Sequence, residues 1–478
     1  MKRLLLVAVL AAGLLCLLAA PAFAGPKTFY VSPSGGNDTH NLQAAFNAAV
    51  AAGPGSTVKL TAGHFYTNTI LVKNFVGTFK GAGEGRTVID CLRGLNASLK
   101  GVAVLPNTTY YPFLVGFEGG SVGVSDLSFD ITATSPAEPW SNGDPANPVD
   151  FLEVTVQVAD NASASFNHVS FAAGAGNDSG YNTDEGIVIS GLGPYDPVTD
   201  AGTAVWVTSG TDSVRDCSFT GPPDGIQVMG LTAGSATVEG NVFDDSAFCC
   251  LVNDSSASQV TIAHNQMTSA WWDDIVLWQG FQASLGAGAA LPSLPAPHIV
   301  VTDNHMSGTD YAGGVEVEDD SPLYNAPYRL DAIISGNVIS LDNGGWDGGI
   351  DGLYARRVQV TDNRISGTGL AGIDVGAVAS IWGLHSAPDS GWQVIGNDVS
   401  GVTSTGVQYG GVQTAQIWLG PYADHCLVVG GAAPTQVLDQ GTDDTLIHVT
   451  PVTDPPAAAA TPMHSLKHMK QLKGMMLP

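Results

Sequence analysis

Short β-type runs that end in an asparagine recur along the second half of the chain. Each asparagine is followed by one variable residue and then by an apolar one. The asparagines are Asn241, Asn265, Asn304, Asn337, Asn363 and Asn397, and successive members are 24, 39, 33, 26 and 34 residues apart. A coil of 24 to 26 residues therefore repeats with insertions of varying length. Strand-type runs at such a period, with no helices between them, predict a β-helix solenoid.

The asparagines have a structural explanation. A side-chain amide both donates and accepts hydrogen bonds, so asparagines stacked at an inward turn satisfy one another at a buried corner. Earlier coils continue the pattern with Leu127, Val169 and Cys217 at the same position. We therefore interpret the asparagines as a ladder that stabilises the solenoid, and not as ligands.

A second strand follows each ladder position, as in Gly314-Val315-Glu316-Val317 and Gly372-Ile373-Asp374-Val375. Strand alternation places the second and fourth members of each run inward and the third outward. One sheet is thus predicted to present an outward, solvent-facing column, formed by Gln227, Leu251, Val276, Glu316, Asp351, Asp374 and Gln408.

The flanks of the repeat divide the chain into four segments. Residues 1–24 have the charged start, apolar run and small-residue end of a secretory signal peptide. Residues 25–54 are predicted to form an N-terminal cap, with an amphipathic helix over 41–52 that covers the first coil. The β-helix is predicted over 55–449. Residues 450–478 are interpreted as a Pro/Ala linker and a basic flexible tail, with docking of the tail onto an acidic surface as the alternative.

Charge and composition exclude several classes of function. The net charge is −27, and no lysine occurs between Lys100 and Lys467, so the chain lacks the basic clusters that bind nucleic acid. No stretch after the signal peptide is apolar over the length of a transmembrane helix. A polyanionic glycan would meet an acidic surface unless a cation such as Ca²⁺ bridged the two. The five cysteines after residue 24 are scattered and do not form a disulfide framework; we interpret them mainly as small core residues.

The N-terminal part of the β-helix resembles a known superfamily. Residues 41–46 (NLQAAF), 57–60 (TVKL), 62–66 (AGHFY) and 81–83 (GAG) are similar to the N-terminal region of the pectate lyase superfamily. With the asparagine coils, the resemblance covers roughly residues 27 to 449. It implies an all-β fold, a single-stranded right-handed parallel β-helix. Because the group contains lyases, hydrolases, epimerases, phage tailspikes and non-catalytic proteins, it does not imply one activity.

The polygalacturonase branch of this superfamily fits poorly. Asn182-Thr183-Asp184 and Asp273-Asp274 match two of its motifs, but Asp184 and Asp274 are 90 residues apart. That separation corresponds to about three coils of the predicted register, whereas the two motifs should lie on neighbouring coils. We therefore interpret these two matches as chance.

Glu316, Asp351 and Asp374 are the candidate catalytic residues. On neighbouring strands they would be about 4.8 Å apart, close to the roughly 5 to 5.5 Å of the carboxyl pair in retaining glycosidases. The outer two would be about 9.6 Å apart, near the upper end of the inverting range. Stacked like charges raise the pKa of at least one carboxyl, which leaves an acid beside a base. A solvated acidic face and a Ca²⁺ site are the alternatives.

Aromatic and acidic side chains around this column suggest a sugar-binding surface. Aromatic faces stack on the C–H faces of sugar rings, while carboxylates accept hydrogen bonds from their hydroxyls. The candidate substrate-binding residues are Trp278, Glu318, Trp346, Tyr354 and Trp382, and Trp392 lies in one of the predicted flanking loops. Arg356 and Arg357 follow Asp351 and offer the cation that a lyase or epimerase needs, although surface ion pairs are the simpler interpretation.

Together these patterns predict a secreted, monomeric, carbohydrate-active enzyme, extracellular or periplasmic, whose partner is a polysaccharide. The leading interpretation is a glycoside hydrolase that needs no cofactor. The alternatives are a non-catalytic glycan-binding or structural surface β-helix, and a Ca²⁺-dependent polyuronate lyase or epimerase.

Overall fold

The computed structural model describes most of the predicted β-helix. The described residues are 25–91, 113–130, 154–159, 161–172, 185–190, 210–221, 224–229, 234–244, 249–254, 259–270, 273–278, 298–308, 313–319, 330–342, 348–376, 388–404, 415–431 and 435–452. The predicted signal peptide, and the tail from residue 453 onward, lie outside them.

The described chain is mostly β-strand, as predicted. It begins with β1 (Thr28–Val31), α1 (Thr39–Ala52), β2 (Ser56–Leu60), β3 (Gly63–Thr67), β4 (Ile70–Lys80), β5 (Thr87–Cys91), β6 (Phe113–Asp130), β7 (Val154–Ala159), β8 (Ser163–Ala172), β9 (Glu185–Ser190), β10 (Gly210–Arg215), β11 (Ser218–Thr220) and β12 (Asp224–Met229). It continues with β13 (Gly234–Glu239), β14 (Val242–Asp244), β15 (Cys249–Asp254), β16 (Gln259–Ala263), β17 (Gln266–Thr268), β18 (Ile275–Trp278), β19 (His298–Thr302), β20 (His305–Ser307), β21 (Val315–Glu318), β22 (Asp331–Ser335), β23 (Val338–Asp342) and β24 (Gly348–Leu353). The last strands are β25 (Gln359–Thr361), β26 (Arg364–Gly369), β27 (Ala371–Val375), β28 (Asp389–Ser390), β29 (Gln393–Ile395), β30 (Asp398–Ser404), β31 (Ile417–Leu419), β32 (Ala423–Asp424), β33 (Leu427–Val429), β34 (Gln436–Asp439), β35 (Thr445–Ile447) and β36 (Thr450–Val452).

The strands stack in parallel on three faces. The first face runs from β1 and β2 through β10, β13, β16, β19, β22, β25, β29 and β33 to β35. The second includes β11, β14, β17, β20, β23, β26 and β30. The third runs from β7 and β9 through β12, β15, β18, β21, β24, β27, β31 and β34 to β36. The long strands β4, β6 and β8 bend between faces. One coil therefore passes over all three faces before the next one begins.

The corner between the first and second faces explains the residue before each asparagine. His264, Asp303 and Asp362 have φ of 57°, 54° and 55°, and glycine takes this place before Asn241, Asn337 and Asn397. A left-handed backbone is open to glycine and is otherwise favoured by Asn, Asp and His. The sequence therefore turns at the same point in every coil.

The asparagine ladder is confirmed. From Asn241 to Asn363, each Nδ2 donates to Oδ1 of the next asparagine at 2.9 to 3.0 Å. The same Oδ1 also accepts the backbone N–H of the preceding asparagine, at 2.9 to 3.0 Å. The ladder begins where Cys217 N–H donates to Asn241. Its next position after Asn397 is Gly431, where an added Cβ would lie 2.8 Å from the Asn397 carbonyl oxygen.

Replacing Asn337 by Leu is expected to lower the free energy of unfolding by about 1 to 3 kcal/mol. The change removes the partner of Asn304 and Asn363 at a corner where Asn337 is fully buried. Urea unfolding of the variant measures the effect. Ser340→Ala, on an exposed position of the same coil, is the control and should change stability by less than about 0.5 kcal/mol. Equal midpoints for the two variants would argue against the ladder.

The interior is a continuous apolar core that runs the length of the described coils. Phe129, Phe171, Phe219 and Phe243 stack in one column, with ring centroids 5.2, 5.0 and 4.7 Å apart. Helix α1 closes the first coil with Leu42, Phe46 and Ala49, all fully buried, so the predicted cap is present. In the described part of the chain, no helix has the length and apolarity needed to cross a membrane.

The boundaries of the solenoid differ slightly from the prediction. Strand β1 lies inside the predicted cap segment, yet it pairs with β2 as the first strand of the first face. Strand β36 begins at Thr450 and ends at Val452, so the solenoid extends three residues into the predicted linker. Both strands are short and lie outside the asparagine repeat, which is why the sequence placed them outside the solenoid.

Candidate active site

Three neighbouring strands of the third face position the candidate carboxylates. Glu316 on β21 is in register with Asp351 on β24, which is in register with Asp374 on β27. The flanking valines and isoleucines are fully buried in the core and fix the direction of each strand. The predicted column therefore exists, with a spacing of about 4.8 Å between neighbouring strands.

The ends of the column differ from the prediction. Gln227 is in register with Val252 and not with Leu251, because the strand is one residue out of phase with the predicted alternation. After Asp374 the next member is Trp418 on β31, and not Gln408. Gln408 lies outside the described residues. The observed column is therefore Gln227, Val252, Val276, Glu316, Asp351, Asp374 and Trp418.

The expectation of a solvent-facing column is wrong. Glu316 is 7% exposed, Asp351 1% and Asp374 0%. Glu318, one alternate position further along β21, is 7% exposed, and Asp319 is fully buried. Burial of an ionised carboxylate is costly unless a cation or hydrogen-bond donors lie close to it, so this buried acidic column is not a simple solvated face.

Glycine at position 348 makes room for Asp374. A Cβ added to Gly348 would lie 2.6 Å from Oδ2 of Asp374, closer than side-chain carbons approach an oxygen. Gly348 begins β24, the strand that carries Asp351. The glycine at the start of β24 thus leaves the space that the Asp374 carboxylate on β27 occupies.

The Gly348→Ala variant is expected to move the Asp374 carboxylate without altering any titratable group. If that carboxylate is used in a reaction, the rate should fall by about tenfold to a hundredfold, because positioning errors near 1 Å have such effects. Gly123→Ala is the control, since its added Cβ would meet only Ser165 Oγ, at 3.5 Å. Product formation by both variants measures the effect. Full activity of Gly348→Ala would argue against a role for Asp374.

Two predicted aromatic contacts are packed inside the protein. Tyr354 is 1% exposed and lies in a buried cluster with Leu353, Leu370 and Trp418, so its ring is not at the surface. Trp392 is fully buried, and its Nε1 donates to the carbonyl of Ala355 at 3.1 Å. Gly352 makes room for this ring, since a Cβ added to Gly352 would lie 2.5 Å from it.

The remaining predicted substrate-binding residues are only partly described. Trp278 aligns with Glu318 in the backbone register of β18 and β21. Trp346 and Trp382 lie outside the described residues. Trp418 was not predicted as a site residue, although Ile417-Trp418-Leu419 has the same alternation as the strands before it. It is 7% exposed, and its Nε1 donates to Oε1 of Gln440 at 3.0 Å.

A buried carboxylate behind the column holds the end of β24. Oδ1 of Asp389 accepts the N–H of Ala355 at 2.7 Å, and Oδ2 accepts that of Tyr354 at 3.1 Å. These bonds hold Tyr354 at a φ of 61°, which is unusual for an aromatic residue. Desolvation by burial raises the pKa of Asp389 to about 7, and the charge of Asp319 contributes further.

Asp274 belongs to a separate environment. Its strand position aligns with Cys250, whose Sγ donates to Asp274 Oδ1 at 3.5 Å. Desolvation by burial raises the pKa of Asp274 well above its ordinary value. Strand β9, which follows Asp184, is separated from β18 by β12 and β15, so three coil steps lie between the two motifs, as the sequence indicated.

One group of side chains in the described ranges has the spacing of metal ligands. It consists of Asp424, His425 and Asp443, with ligand atoms within 4.8 Å of one another. The group lies on the last coils, away from β21 and β24. Arg356, which the sequence offered as a cation for a lyase or epimerase, acts electrostatically on Asp424. Arg357 is exposed.

Comparisons with known proteins extend this description. No protein-family model matches the chain, and a search of curated proteins also gives no match. The A-module of the mannuronan C-5 epimerase AlgE6 of Azotobacter vinelandii is similar in structure, with 16% identity, a TM-score of 0.50 and coverage of 88% of this chain and 96% of that one. The periplasmic alginate epimerase AlgG shares 13% identity at a TM-score of 0.51, over 84% of each chain.

The tailspike protein of the E. coli bacteriophage HK620 gives a similar result. It shares 13% identity at a TM-score of 0.53, over 88% of this chain and 69% of that one. This chain is a right-handed parallel β-helix. At such identities the likeness establishes the fold alone, and function has to be argued from the site.

Proposed function

We propose that this β-helix protein is an exported, carbohydrate-active enzyme that cleaves a polysaccharide. The observation that carries the proposal is the in-register column of Glu316, Asp351 and Asp374 on adjacent strands. Glycosidic cleavage needs one carboxyl that donates a proton and one that acts as base or nucleophile. A buried stack of three carboxyls divides these roles, since close like charges cannot all ionise.

The spacing of the column suits either stereochemical course. Neighbouring members are separated by about one strand spacing, near the distance of a retaining pair. Glu316 and Asp374 are separated by two strand spacings, about 9.6 Å, near the upper limit for an inverting pair with a water between them. Asp351 belongs to every retaining pairing, so it is the most informative position. Glu318 would contribute hydrogen bonds to substrate hydroxyls, together with Trp278, Trp346 and Trp382.

A polyuronate lyase or epimerase is the second candidate. It is favoured by the names of two structural neighbours, the epimerases AlgE6 and AlgG. That chemistry needs the uronate carboxyl neutralised, and on a chain of charge −27 a bound Ca²⁺ would supply the positive charge. The non-catalytic glycan-binding or structural β-helix is the remaining alternative.

A glycan panel separates these functions. Neutral polysaccharides and polyuronates would be incubated with the protein, with and without EDTA. New reducing ends without ultraviolet absorbance indicate hydrolysis, and an unsaturated, absorbing product that EDTA suppresses indicates a lyase. Altered uronate composition at constant chain length indicates an epimerase. Binding without any product would contradict the proposal and favour the non-catalytic alternative.

A further inference from the structure

The two ends of the β-helix differ in how they are covered by the described residues. Helix α1 covers the first coil and buries its apolar stripe there. At the other end, β35 pairs only with β33 and β36 only with β34, as far as the described residues show. One edge of each strand therefore presents backbone N–H and C=O groups along the solenoid axis, and proteins cover or charge such edges to prevent unwanted pairing.

The apolar interior is also open at this end. Leu446 on β35 is in register with Val428, which is fully buried, but Leu446 itself is only partly buried. Val449 is likewise only partly buried, and Ile447 is 41% exposed. In the coils before it, the equivalent inward positions are completely shielded. Among the described residues, none gives the last coil the cover that α1 gives the first.

Acidic side chains surround the open end. Asp439 and Asp443 are exposed, Asp424 and Asp444 are half-buried, and no lysine or arginine occurs from residue 424 to 452. His425 lies between two of these carboxylates, with Nδ1 2.7 Å from Asp424 and Nε2 4.0 Å from Asp443. A covering segment would therefore be favoured if it were basic and had an apolar face.

The sequence that follows β36 has both properties. Residues 453–478 continue directly from the last coil and carry Lys467, Lys470 and Lys473 against one acidic residue, Asp454. Their large apolar residues at helical spacing include Leu466, Met469 and Leu472. Such spacing gives one apolar stripe on a helix, and a proline at 462 and a glycine at 474 are typical of a helix start and end.

We propose that residues 462–473 form an amphipathic helix that covers the C-terminal end of the β-helix. Leu466, Met469 and Leu472 pack on Leu446 and Val449, and the three lysines lie against the surrounding aspartates. The connecting residues 453–461 reach up to about 30 Å when extended, enough to cross the end of a coil. This capping does not depend on the catalytic proposal.

Hydrogen exchange of the strand amides tests the proposal. In the full chain, the amides of β34, β35 and β36 should exchange about tenfold or more slowly than in a chain that ends at Val452. The amides of β1 to β5 should be unchanged. A synthetic peptide of residues 458–478, added to the shortened chain, should restore the protection.

Point variants in the full chain distinguish capping from a general loss of stability. Changing Lys467, Lys470 and Lys473 together to Glu should reproduce the fast exchange, whereas changing them to Arg should preserve the protection. Leu466→Ser combined with Met469→Ser should also expose β34 to β36. These variants alter no residue of the described fold, so an effect confined to the last coil supports the cap.

Three outcomes would overturn the proposal. The first is equal exchange of β34 to β36 with and without residues 453–478. The second is a dimer, found by sedimentation, in which β34 to β36 become exposed when the dimer dissociates but not when the tail is removed. A second copy of the chain would then cover this end. The third is lysine-dependent binding to phosphatidylserine vesicles with no change in exchange, which would assign the tail to a membrane surface.

Discussion

Replacing Asp351 by Asn is expected to abolish polysaccharide cleavage while leaving the fold and glycan binding largely intact. The substitution keeps the shape of a side chain that is 1% exposed and removes its ability to ionise or donate a carboxyl proton. General acid or base catalysis contributes about 10² to 10⁴ in rate, and loss of a nucleophile costs at least as much. The measurement is release of reducing ends from whichever polysaccharide proves to be the substrate.

Matched variants make this result specific. Asp342→Asn removes an exposed carboxylate on β23, on another face of the same coil, and should retain activity. Circular dichroism and glycan affinity of Asp351→Asn should equal those of the unmodified protein. Full activity of Asp351→Asn would exclude Asp351 from the reaction and rule out a retaining pair in this column, leaving Glu316 and Asp374 as an inverting pair.

The flanking carboxylates then assign the mechanism. If Asp351 pairs with one neighbour in a retaining reaction, one of Glu316→Gln and Asp374→Asn should be far more damaging than the other. If Glu316 and Asp374 are an inverting pair, both should abolish turnover and the product anomer should be inverted. The stereochemistry of the first product, measured by NMR, checks the assignment.

Stability is expected to fall as the pH rises from about 4 to 7. Burial raises the pKa of Asp389 to about 7 in the folded protein, above the ordinary value of 3.8 for an aspartate. Between about pH 4 and pH 7, the folded state therefore keeps a proton on Asp389 that the unfolded state has released. Stability declines with rising pH wherever the folded state binds more protons than the unfolded state. For Asp389 alone the shift corresponds to about 4 kcal/mol, fully present below pH 4 and lost above pH 7.

Other buried carboxyls also make the stability of the folded protein fall as the pH rises. Burial also raises the pKa of Asp212 to about 7, and it raises that of Asp274 well above the ordinary range. Burial raises the pKa of the partly exposed Asp444 to about 6, with a weaker effect on stability because solvent screens it. We therefore expect the protein to be most stable under mildly acidic conditions.

Urea unfolding at pH 5 and pH 8 measures this dependence. The midpoint should be clearly higher at pH 5, and Asp389→Asn should reduce the difference because an amide does not titrate. Asp342→Asn, which removes an exposed carboxylate, should leave the difference unchanged. A midpoint that rises between pH 5 and pH 8 would contradict the expected sign.

Burial of the column affects how the proposed enzyme would act on a sugar. Carboxylates shielded from water interact strongly with each other and with a bound sugar, because the local dielectric is low. A flat adhesive surface would instead be expected to expose such groups evenly. Glu316 at 7% is the most accessible of the three, whereas Asp374 is 0% exposed.

The sequence alone determined the architecture and the register of the three acids at the centre of the candidate site. The spacing of the asparagines set the phase of each coil, and strand alternation then put Glu316, Asp351 and Asp374 in register. Both signals are local, since an αL corner before each asparagine and an apolar residue on either side of each acid are fixed within a few residues. That is why the ladder and the register of these three acids were predicted correctly, whereas the exposure of the acids was not.

The tertiary structure alone decided which residues flank the column and which side chains are buried. Gln408 was mistaken for the residue that follows Asp374, because insertions of unequal length separate the coils and only hydrogen-bonded pairing reveals that Trp418 occupies the position. Tyr354 turned out to be buried because Asp389, 35 residues later in the chain, holds its backbone in a left-handed turn. Such contacts join residues that are distant in sequence, so no local pattern of apolar and polar positions encodes them.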